Sequence, residues 1–426
     1  MVTSARGKIV IQGQKPLSGH VRVSGSKNAA DSAFAACLLT ADECVLDNVP
    51  DIEDVRMMGQ ILGTLGARVD REGANTWRIR CDKIDRYDAP NEMVANQRAS
   101  FQIMGPLLGR FGEAASCSPG GDVIGTRPLD VHLAGFEALG AQISRRGEQY
   151  LAESPEHARL KANRVFLDYP SVTGTMNIVF AAVLAEGRTT IINAAVEPEI
   201  ANVTSMLVAM GARIEGIGRS ILEVEGVPEL HGVRHHILPD RLETGTFVIA
   251  AAISRGEVTV DGSPPEHLDA LLAKLHESGV EIETTNGYLH VCGAGREFKN
   301  VQAQALPYPG LATDLQPYLA AFLTQARGVS VIYERVYDNR LLYIGELRKM
   351  GADVIVAGGQ TALITGPAHL YGTLVRALDV RAGGALVLAA LAAEGRTEIT
   401  DVHHLDRAHE DLVGKLRSLG ADVDWA

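Results

Sequence analysis

The sequence predicts an α/β protein composed of two similar globular domains with three repeats in each. Three observations support this prediction. A glycine turn that ends a helix recurs six times, an Ala-rich helix followed by a β-branched strand recurs with it, and the chain of 426 residues is longer than one hydrophobic core usually accommodates. Six repeats divided over two domains give three repeats in each domain.

The recurring turn contains a small residue after its glycine and continues as a β-branched strand, reading LGARV at its first appearance and LGADV at its last. Successive glycines are 74, 71, 68, 72 and 69 residues apart, and chance does not keep so regular a period over five intervals. We expect each glycine to end a helix in the left-handed conformation. The six glycines are Gly66, Gly140, Gly211, Gly279, Gly351 and Gly420.

The fourth repeat shows the whole unit as helix, strand, helix, strand and strand. Its second helix has one apolar face, because four leucines recur at helical spacing: Leu268, Leu271, Leu272 and Leu275. The boundary between the domains is expected between the third and fourth turns, with HGVRHHILPD (231–240) as the crossover. A cleft between two domains is a common place for a ligand.

Composition and charge exclude several classes of protein. The 52 acidic and 40 basic residues give a formal charge of −12, which argues against a nucleic-acid partner. A site for an anionic substrate must therefore gather its positive charge locally. The beginning of the chain has no apolar run typical of a signal peptide, and later apolar runs are shorter than a membrane span. We expect a cytoplasmic protein with no membrane partner.

The sequence gives no sign of a metal or a cofactor. The five cysteines are scattered without metal-ligand spacing. The histidine pairs at 235–236 and 403–404 lack carboxylates or thiols at the distances that metal sites use. The P-loop pattern is absent, so use of ATP is not expected.

The turn-rich stretch SCSPGGDVIGTRPLDVH (116–132) is the strongest candidate for chemistry. Its proline and glycines leave backbone amides exposed to whatever lies against them. Asp122 follows the glycine pair, and Arg127 stands five residues later. A loop with an acid and then a cation suits an anionic substrate. A surface hairpin between two strands is the alternative, and this stretch alone leaves both open.

Seven motifs in order along essentially the whole chain resemble those of the UDP-N-acetylglucosamine 1-carboxyvinyltransferase family of enolpyruvyl transferases. The resemblance implies the family's inside-out α/β barrel fold, with domains at 24–238 and at 1–23 plus 239–426, the first carrying a catalytic loop at 119–130. The motifs are SGSKNAA (24–30), RAS (98–100), PGGDVIGTRPLDVH (119–132), PYPGLATDLQ (307–316), DNR (338–340), LDVRAGGALVLA (378–389) and HHLDRAHEDL (403–412).

The resemblance also implies a reaction. The family transfers the enolpyruvyl group of phosphoenolpyruvate to the 3-hydroxyl of UDP-N-acetylglucosamine and releases phosphate, the first committed step of peptidoglycan synthesis, without a metal or cofactor. This chemistry needs cations for the phosphate and the carboxylate of phosphoenolpyruvate. It also needs an acid that protonates the enol carbon C3 and a base that takes the proton of the hydroxyl.

For phosphoenolpyruvate, the resemblance implies contacts with one lysine and four arginines. Arginine suits these anions because its guanidinium binds carboxylate and phosphate through two hydrogen bonds. The alternatives are a solvated lysine for Lys27 and an exposed, salt-bridged helix start for Arg407. The resemblance implies the phosphate for Arg127 and the carboxylate for three others. The five residues are Lys27, Arg127, Arg340, Arg381 and Arg407.

Three carboxylates complete the catalytic set, which also includes Lys27 and Arg407. By resemblance, Asp314 takes the proton of the sugar hydroxyl, although its place after a Pro/Gly turn also fits a helix N-cap. Asp379 resembles a second carboxylate near the reacting centre. Asp122 stands where most family members carry cysteine and a minority carry aspartate. Because a carboxylate is a poorer nucleophile than a thiolate, we expect insensitivity to fosfomycin, which alkylates that cysteine.

For the uridine nucleotide sugar, the resemblance implies eleven contact residues: Asn28, Arg98, Arg127, Pro128, Leu129, Asp130, Ser171, Val172, Thr173, Asp314 and Val336. For Asn28 the alternative is a helix cap. The chain departs from the family pattern at three positions. Tyr169 replaces a common lysine, Thr173 replaces a glycine, and Asp31 replaces an apolar residue.

Because of these departures, a different acceptor substrate stays open as an alternative. The alternative enzyme transfers enolpyruvate to another nucleotide or nucleoside in a natural-product pathway. A third possibility is a non-catalytic protein that binds a sugar nucleotide. The glycine-rich loop and the two-domain organisation also predict that the nucleotide binds first, and that domain closure with folding of the loop then excludes water.

Overall fold

The computed structural model of the protein describes residues 7–122, 124–125, 127–285 and 287–426. The chain divides into two compact units. The first, here called the 25–238 unit, comprises Gly25–Gly121 and Arg127–Leu238. The second, called the 239–426 unit, comprises Met1–Ser24, Asp122–Thr126 and Pro239–Ala426. This division differs from the one expected from the sequence at residue 24 and at residues 122–126 of the loop.

The strands are short, and all 23 that the structure describes belong to the three- or four-stranded sheets of the repeats. They are β1 (Lys8–Gln12), β2 (Ser18–Arg22), β3 (Glu43–Asp47), β4 (Arg68–Glu72), β5 (Thr76–Arg80), β6 (Glu113–Cys117), β7 (Gln142–Arg146), β8 (Gln149–Glu153), β9 (Arg164–Phe166), β10 (Arg188–Ile192), β11 (Arg213–Glu215), β12 (Ile221–Glu225), β13 (Arg234–His236), β14 (Glu257–Asp261), β15 (Glu281–Thr285), β16 (Tyr288–Cys292), β17 (Gln302–Ala305), β18 (Gly328–Glu334), β19 (Asp353–Ala357), β20 (Thr361–Gly366), β21 (Leu374–Arg376), β22 (Arg396–Thr400) and β23 (Asp422–Trp425).

The helices alternate with these strands. They are α1 (Lys27–Ala36), α2 (Glu53–Thr64), α3 (Asn91–Val94), α4 (Met104–Phe111), α5 (Asp130–Ala138), α6 (Val172–Ala182), α7 (Pro198–Ala209), α8 (Arg241–Ile253), α9 (Asp269–Ser278), α10 (Gln316–Leu323), α11 (Ile344–Lys349), α12 (Val380–Ala392) and α13 (Leu412–Ser418). Short 3-10 helices at Arg98–Ile103, Arg340–Tyr343 and Val402–Arg407 carry residues of interest.

In each unit the described residues form three sheets, one for each repeat. The sheets of the 25–238 unit have the strand orders β13-β3-β5-β4, β6-β8-β7 and β11-β12-β10-β9. Those of the 239–426 unit are β15-β16-β14-β2, β17-β18-β20-β19 and β21-β22-β1-β23. The first strands of the chain complete this second unit: β1 lies antiparallel between β22 and β23, and β2 lies parallel to β14.

The Ala-rich helices form the centre of each unit, and the sheets lie outside them. In the 239–426 unit every residue of α8 and α10 is buried, and these helices pack on each other and on α12. A helix that is apolar on all sides must be surrounded by protein, and small alanines let such helices approach closely. The 25–238 unit repeats this plan with α1, α4 and α6. The fold is therefore the predicted inside-out α/β arrangement with three repeats in each unit.

Two local predictions from the repeat are confirmed. The glycines of the six turns have φ values between 91° and 106°, so each leaves its helix in the left-handed region. The four leucines Leu268, Leu271, Leu272 and Leu275 are all buried in the core of the 239–426 unit. Within the described ranges, no helix is long and apolar enough to cross a membrane.

Candidate active site

In the 239–426 unit, one carboxylate lies between two buried guanidinium groups. Asp314 lies just before α10 and accepts a hydrogen bond from Arg340 Nη2 at 2.7 Å. Its second oxygen lies 3.0 Å from Arg381 Nη2 and 3.2 Å from Arg381 Nε. The Arg340 side chain is 1% exposed and that of Arg381 is 7% exposed, whereas Asp314 is 27% exposed. Asp314 therefore faces more open space than the cations that hold it.

Burial opposes the charge of both arginines, but neighbouring carboxylates outweigh it. Asp314 and Asp379 raise the pKa of Arg340, and Asp314 raises the pKa of Arg381. Two donors of Arg340, Nε and Nη1, are buried without a hydrogen-bond partner among the described residues. A permanently charged guanidinium with donors to spare is suited to bind an anion.

Asp379 positions Arg381 through the helix that carries it. Its Oδ1 accepts hydrogen bonds from the backbone N–H groups of Arg381 at 2.8 Å and Ala382 at 3.0 Å, so Asp379 is the N-cap of α12. Asp314, in contrast, does not cap the helix that follows it. The interpretation of Asp314 as a helix N-cap is wrong, because α10 begins at Gln316 after Leu315 and the carboxylate binds arginines instead.

The stretch 116–132 connects a strand to a helix and is not a hairpin. β6 ends at Cys117 and α5 begins at Asp130. Between them, Asp122 Oδ1 accepts a hydrogen bond from Arg407 Nη1 at 2.8 Å, and both side chains are largely buried. Arg407 is thus not the exposed helix start considered above. Val123 and Thr126, which belong to the predicted catalytic loop 119–130, lie outside the described residues.

The described part of the loop is held by further contacts within the 239–426 unit. Ile124 is buried, and its carbonyl oxygen accepts a hydrogen bond from the N–H of Asn339 at 3.1 Å. Gly125 has a φ of 135°, and a Cβ at this position would lie 1.8 Å from an oxygen of Asp338. Only glycine fits this approach. These contacts hold Ile124 and Gly125 of the loop against Asp338 and Asn339.

In the 25–238 unit, the relation between charges is reversed, since one lysine lies between two buried carboxylates. Lys27 is the first residue of α1, and its Nζ lies 2.9 Å from Asp54 Oδ2 and 3.5 Å from Asp31 Oδ2. Its side chain is 18% exposed, so the alternative of a solvated lysine is wrong. The helix is capped by Ser26, whose Oγ accepts from the N–H of Ala29, and the cap alternative for Asn28 is therefore also wrong.

Asp31 is the less well paired of the two carboxylates. Its side chain is 1% exposed, and Gln97 Nε2 donates to its Oδ1 at 3.0 Å. Burial raises the pKa of Asp31 to about 6, with Lys27 opposing the rise and Asp54 adding to it. Two carboxylates that share one cation cannot both be ionised as readily as one.

Seven of the eleven residues expected to contact a uridine nucleotide lie at or just before the starts of α5 and α6. Arg98 Nη2 donates to the carbonyl oxygen of Pro128 at 3.0 Å, which fixes the backbone just before α5. Ser171 caps α6, because its Oγ accepts from the N–H of Gly174 at 3.1 Å. A helix start capped in this way leaves backbone N–H groups directed at an anion. Leu129 is buried, Asp130 is exposed, and Arg127, Val172 and Thr173 are partly exposed.

Val336 belongs to the 239–426 unit, where the buried carboxylate of Glu334 positions it. Its N–H donates to Glu334 Oε1 at 2.8 Å, and Thr313 Oγ1 donates to Glu334 Oε2 at 2.9 Å. Burial raises the pKa of Glu334. Glu334 thus links Val336 to the segment just before Asp314.

Several residues of these groups were not predicted from the sequence. They are Asp54, Gln97 and Glu334. None of the quoted motifs contains them, and some act on a neighbour that is distant in sequence, as Gln97 does on Asp31. Asp379 as a helix cap could have been found, since an aspartate directly precedes the Ala-rich helix. Within the described ranges, no group of three or more His, Cys, Asp or Glu residues is placed to hold a metal ion.

Comparisons with known proteins were made for the whole chain. The family model described as EPSP synthase (3-phosphoshikimate 1-carboxyvinyltransferase) matches residues 11–416. The chain is 44% identical over 416 residues to UDP-N-acetylglucosamine 1-carboxyvinyltransferase 1 of Caldanaerobacter subterraneus subsp. tengcongensis, covering 98% of this chain and 99% of that protein. It is also 44% identical over 417 residues to UDP-N-acetylglucosamine 1-carboxyvinyltransferase 2 of Bacillus cereus, covering 98% and 96%.

A solved structure gives the same fold. The enolpyruvyl transferase NikO from Streptomyces tendae is similar to this chain with a TM-score of 0.89 and 26% sequence identity. The similarity covers 98% of this chain and 99% of that one. The sequence relatives and the structural relative therefore agree along the full length of the chain.

Proposed function

The chain belongs to the UDP-N-acetylglucosamine 1-carboxyvinyltransferases of the EPSP synthase family, and on this premise we propose that it transfers enolpyruvate from phosphoenolpyruvate to the 3-hydroxyl of UDP-N-acetylglucosamine. Phosphate is the second product. The observation that carries this proposal is Asp314, which is partly exposed and held by two buried arginines. The reaction would be the first committed step of peptidoglycan synthesis, and the cytoplasmic location expected from the sequence belongs to the same proposal.

The arginines supply the charge that phosphoenolpyruvate requires. In the proposed complex, Arg340, Arg381 and Arg407 bind its carboxylate, while Lys27 and Arg127 bind its phosphate. Arg340 supports this assignment because its Nε and Nη1 donors have no partner among the described residues. Charge-assisted hydrogen bonds of this kind are roughly twice as strong as neutral ones.

The first half of the reaction is an addition. Asp314 takes the proton of the 3-hydroxyl, and the resulting oxygen forms a bond to C2 of phosphoenolpyruvate. The electron pair of the C2–C3 double bond takes a proton at C3, and Asp122 is the acid assigned to this step. Asp122 already contacts Arg407 and must first receive a proton, for which the phosphate of the substrate is the proposed source. A positioned acid or base of this kind contributes about 10² to 10⁴ in rate.

The second half is an elimination that restores the double bond. The bond between C2 and the phosphate oxygen breaks, and phosphate leaves with the electron pair. C3 loses one proton to a base, which restores the C2–C3 double bond in the enolpyruvyl ether. Lys27 is assigned to the departing phosphate because an ammonium group stabilises its charge. Water must be excluded during this step, which is the role we propose for the loop that carries Asp122.

The test is phosphate release from phosphoenolpyruvate, with UDP-N-acetylglucosamine as acceptor and UMP, uridine and UDP-glucose in parallel. We expect turnover with UDP-N-acetylglucosamine and none with the others. Turnover with UMP or uridine but not with the amino sugar would assign the chain to a different acceptor. Such an acceptor is the second candidate because Tyr169, which is 42% exposed, stands where relatives commonly have lysine. Binding of the nucleotide without phosphate release under any condition would indicate a non-catalytic protein.

Insensitivity to fosfomycin is part of the same proposal. The described contacts of Asp122 keep a carboxylate where the inhibitor needs a thiolate. The wild-type protein should therefore show no time-dependent inactivation, whereas Asp122→Cys should become sensitive and gain the mass of the inhibitor at residue 122. A covalent adduct on Asp122 in the unaltered protein would contradict this part of the proposal.

A further inference from the structure

A buried chain of hydrogen bonds runs from the interior of the 25–238 unit to the start of α6. Its members are Asn177 on α6, His132 on α5 and Thr173 in the first turn of α6. Asn177 and His132 are buried, and Thr173 is partly exposed. Such a chain is informative because each donor in it determines the role of the next group.

The orientation of Asn177 is set by the backbone. Its Oδ1 accepts a hydrogen bond from the N–H of Gly105 at 3.0 Å, and an N–H cannot bond to an amide nitrogen that is itself a donor. The Nδ2 group is therefore on the other side. It donates to the carbonyl oxygen of Phe101 at 2.9 Å and lies 2.8 Å from Nδ1 of His132.

This orientation assigns the proton of His132. Because Asn177 Nδ2 donates, Nδ1 of His132 must accept, and the neutral ring then carries its hydrogen on Nε2. Burial, with the nearby charge of Arg98, lowers the pKa of His132 to about 3. The ring therefore remains neutral at all pH values at which the protein would work. Phe101 packs against the ring edge to face, with the centroids 5.2 Å apart.

The last step of the chain concerns Thr173. His132 Nε2 lies 3.3 Å from Thr173 Oγ1 and donates to it. Among the described residues no other hydrogen-bond partner is recorded for this hydroxyl, so its own hydrogen remains to be donated. A hydroxyl that accepts one hydrogen bond from a buried N–H keeps its own hydrogen and can donate it to an anionic ligand.

We propose that His132 is a positioning residue that holds the Thr173 hydroxyl as a hydrogen-bond donor for the diphosphate of the nucleotide sugar. This inference rests on the proposed function, since it takes the start of α6 as the diphosphate site. The diphosphate is the part of the ligand that accepts hydrogen bonds and carries charge, and it suits the capped start of α6. These hydrogen bonds thereby offer the diphosphate a neutral donor in a part of the chain where Tyr169 stands instead of lysine.

Binding of UDP-N-acetylglucosamine, UDP and uridine, measured by titration calorimetry without phosphoenolpyruvate, tests the inference. Thr173→Val should weaken both diphosphates roughly 10- to 100-fold, as expected for loss of a hydrogen bond to a charged group, and leave uridine unchanged. Thr173→Ser should restore most of the affinity. Thr204→Val is the matched control, because that hydroxyl bonds within its own helix α7, and it should change none of the three affinities.

Two variants of His132 separate positioning from simple packing. His132→Asn keeps a polar contact for Asn177 but removes the donor at the ε position, whereas His132→Gln keeps an amide N–H near that position. We expect His132→Asn to weaken UDP binding roughly 3- to 10-fold and His132→Gln to weaken it less. In the Thr173→Val background, His132→Asn should have no further effect on UDP binding.

Three outcomes would overturn the inference. Unchanged UDP affinity in Thr173→Val, with wild-type protein that binds UDP, would overturn the inference alone. A lower melting temperature in His132→Asn with additive effects on UDP binding would show that the histidine only supports packing. Failure of the wild-type protein to bind any of the diphosphates would overturn the inference together with the proposed acceptor.

Discussion

Each of the two units contains a cluster in which two buried groups contact one group of opposite charge, and the signs of the charges are reversed between the two clusters. In the 239–426 unit, two buried guanidinium groups contact one carboxylate, Asp314. In the 25–238 unit, two buried carboxylates contact one ammonium group, that of Lys27. Removing a shared partner takes one opposite charge away from two groups at once, whereas removing one of the two groups leaves the other group with its partner. The same kind of substitution should therefore have different consequences in the two units.

The difference also bears on function. Asp314 is oriented by two buried arginines and is itself partly exposed, which suits the positioned base proposed here. A lysine held by two carboxylates is screened from an incoming phosphate, unless one carboxylate takes up a proton. Asp31 is the carboxylate suited to do so, because burial raises its pKa to about 6. The cluster around Lys27 is thus expected to be sensitive to pH near 6.

The largest effect is expected for Asp314→Asn. The amide cannot take a proton from the sugar hydroxyl, so kcat for phosphate release should fall by about 10² to 10⁴. Binding of UDP-N-acetylglucosamine should fall much less, since the change is nearly isosteric. Asp353→Asn is the control, because this exposed aspartate of β19 lies in the same unit and outside the site. Loss of both activity and nucleotide binding to the same degree would assign Asp314 to binding instead of proton transfer.

Much of this comparison could be predicted from the sequence, but not all of it. The repeat glycines and the Ala-rich helices are local signals, and the fold that they predict is confirmed. Local motifs also mark Lys27, Asp314, Arg340 and Arg381, and the binding and catalytic roles of these residues stay predictions. The partners of these residues were not identified. Asp54 meets Lys27 across the packing of α1 against α2, and such contacts depend on tertiary structure that no local pattern encodes.

Asp31 shows where the sequence was informative but insufficient. Its position in an otherwise apolar helix marked it as a departure from the family pattern. Its physical meaning depends on the distance to Lys27 and on complete burial, and both follow from how α1 packs. Asp314 shows the reverse case, since the local pattern favoured a helix cap and the distant arginines took the carboxylate instead.

The second prediction compares Lys27→Met with Arg340→Met at pH 8. Removing Lys27 leaves Asp31 and Asp54 without their shared cation, so the free energy of unfolding should fall by roughly 3 kcal/mol, near the lower end for breaking a buried pair. Removing Arg340 leaves Asp314 paired with Arg381, and the loss should be less than about half as large. Urea unfolding measures both values.

Both of these variants should lose enzyme activity, so activity cannot replace the stability measurement. The exposed pair Lys15–Asp422 provides the control, and Lys15→Ala should change the free energy of unfolding by no more than about 1 kcal/mol. Equal losses in Lys27→Met and Arg340→Met would contradict the comparison, because they would mean that sharing a partner has no effect on stability.

The third prediction concerns Asp31→Asn, whose effect on stability should be smaller than that of Lys27→Met and should depend on pH. In the unfolded chain this carboxyl ionises near its ordinary pKa of 3.8, whereas in the folded protein it retains its proton up to about pH 6. The stability that the protonated form provides is therefore fully present below about pH 4 and is lost as the pH rises to 6. Asp31→Asn should be more stable than the wild type by on the order of 2 kcal/mol at pH 7 to 8, and equally stable at pH 4.

The same substitution should change how phosphoenolpyruvate binds. In the wild type, the incoming phosphate adds negative charge beside Asp31, so binding is coupled to uptake of a proton and the KM for phosphoenolpyruvate should rise above pH 6. Asp31→Asn carries no proton to exchange, and its KM should be lower and rise less with pH. The phosphate of the substrate titrates identically in both proteins, so the difference between the two profiles reports Asp31 alone. Parallel profiles between pH 5.5 and 8.5 would show that Asp31 does not limit the charge of Lys27, and the contrast between the two clusters would then be one of stability only.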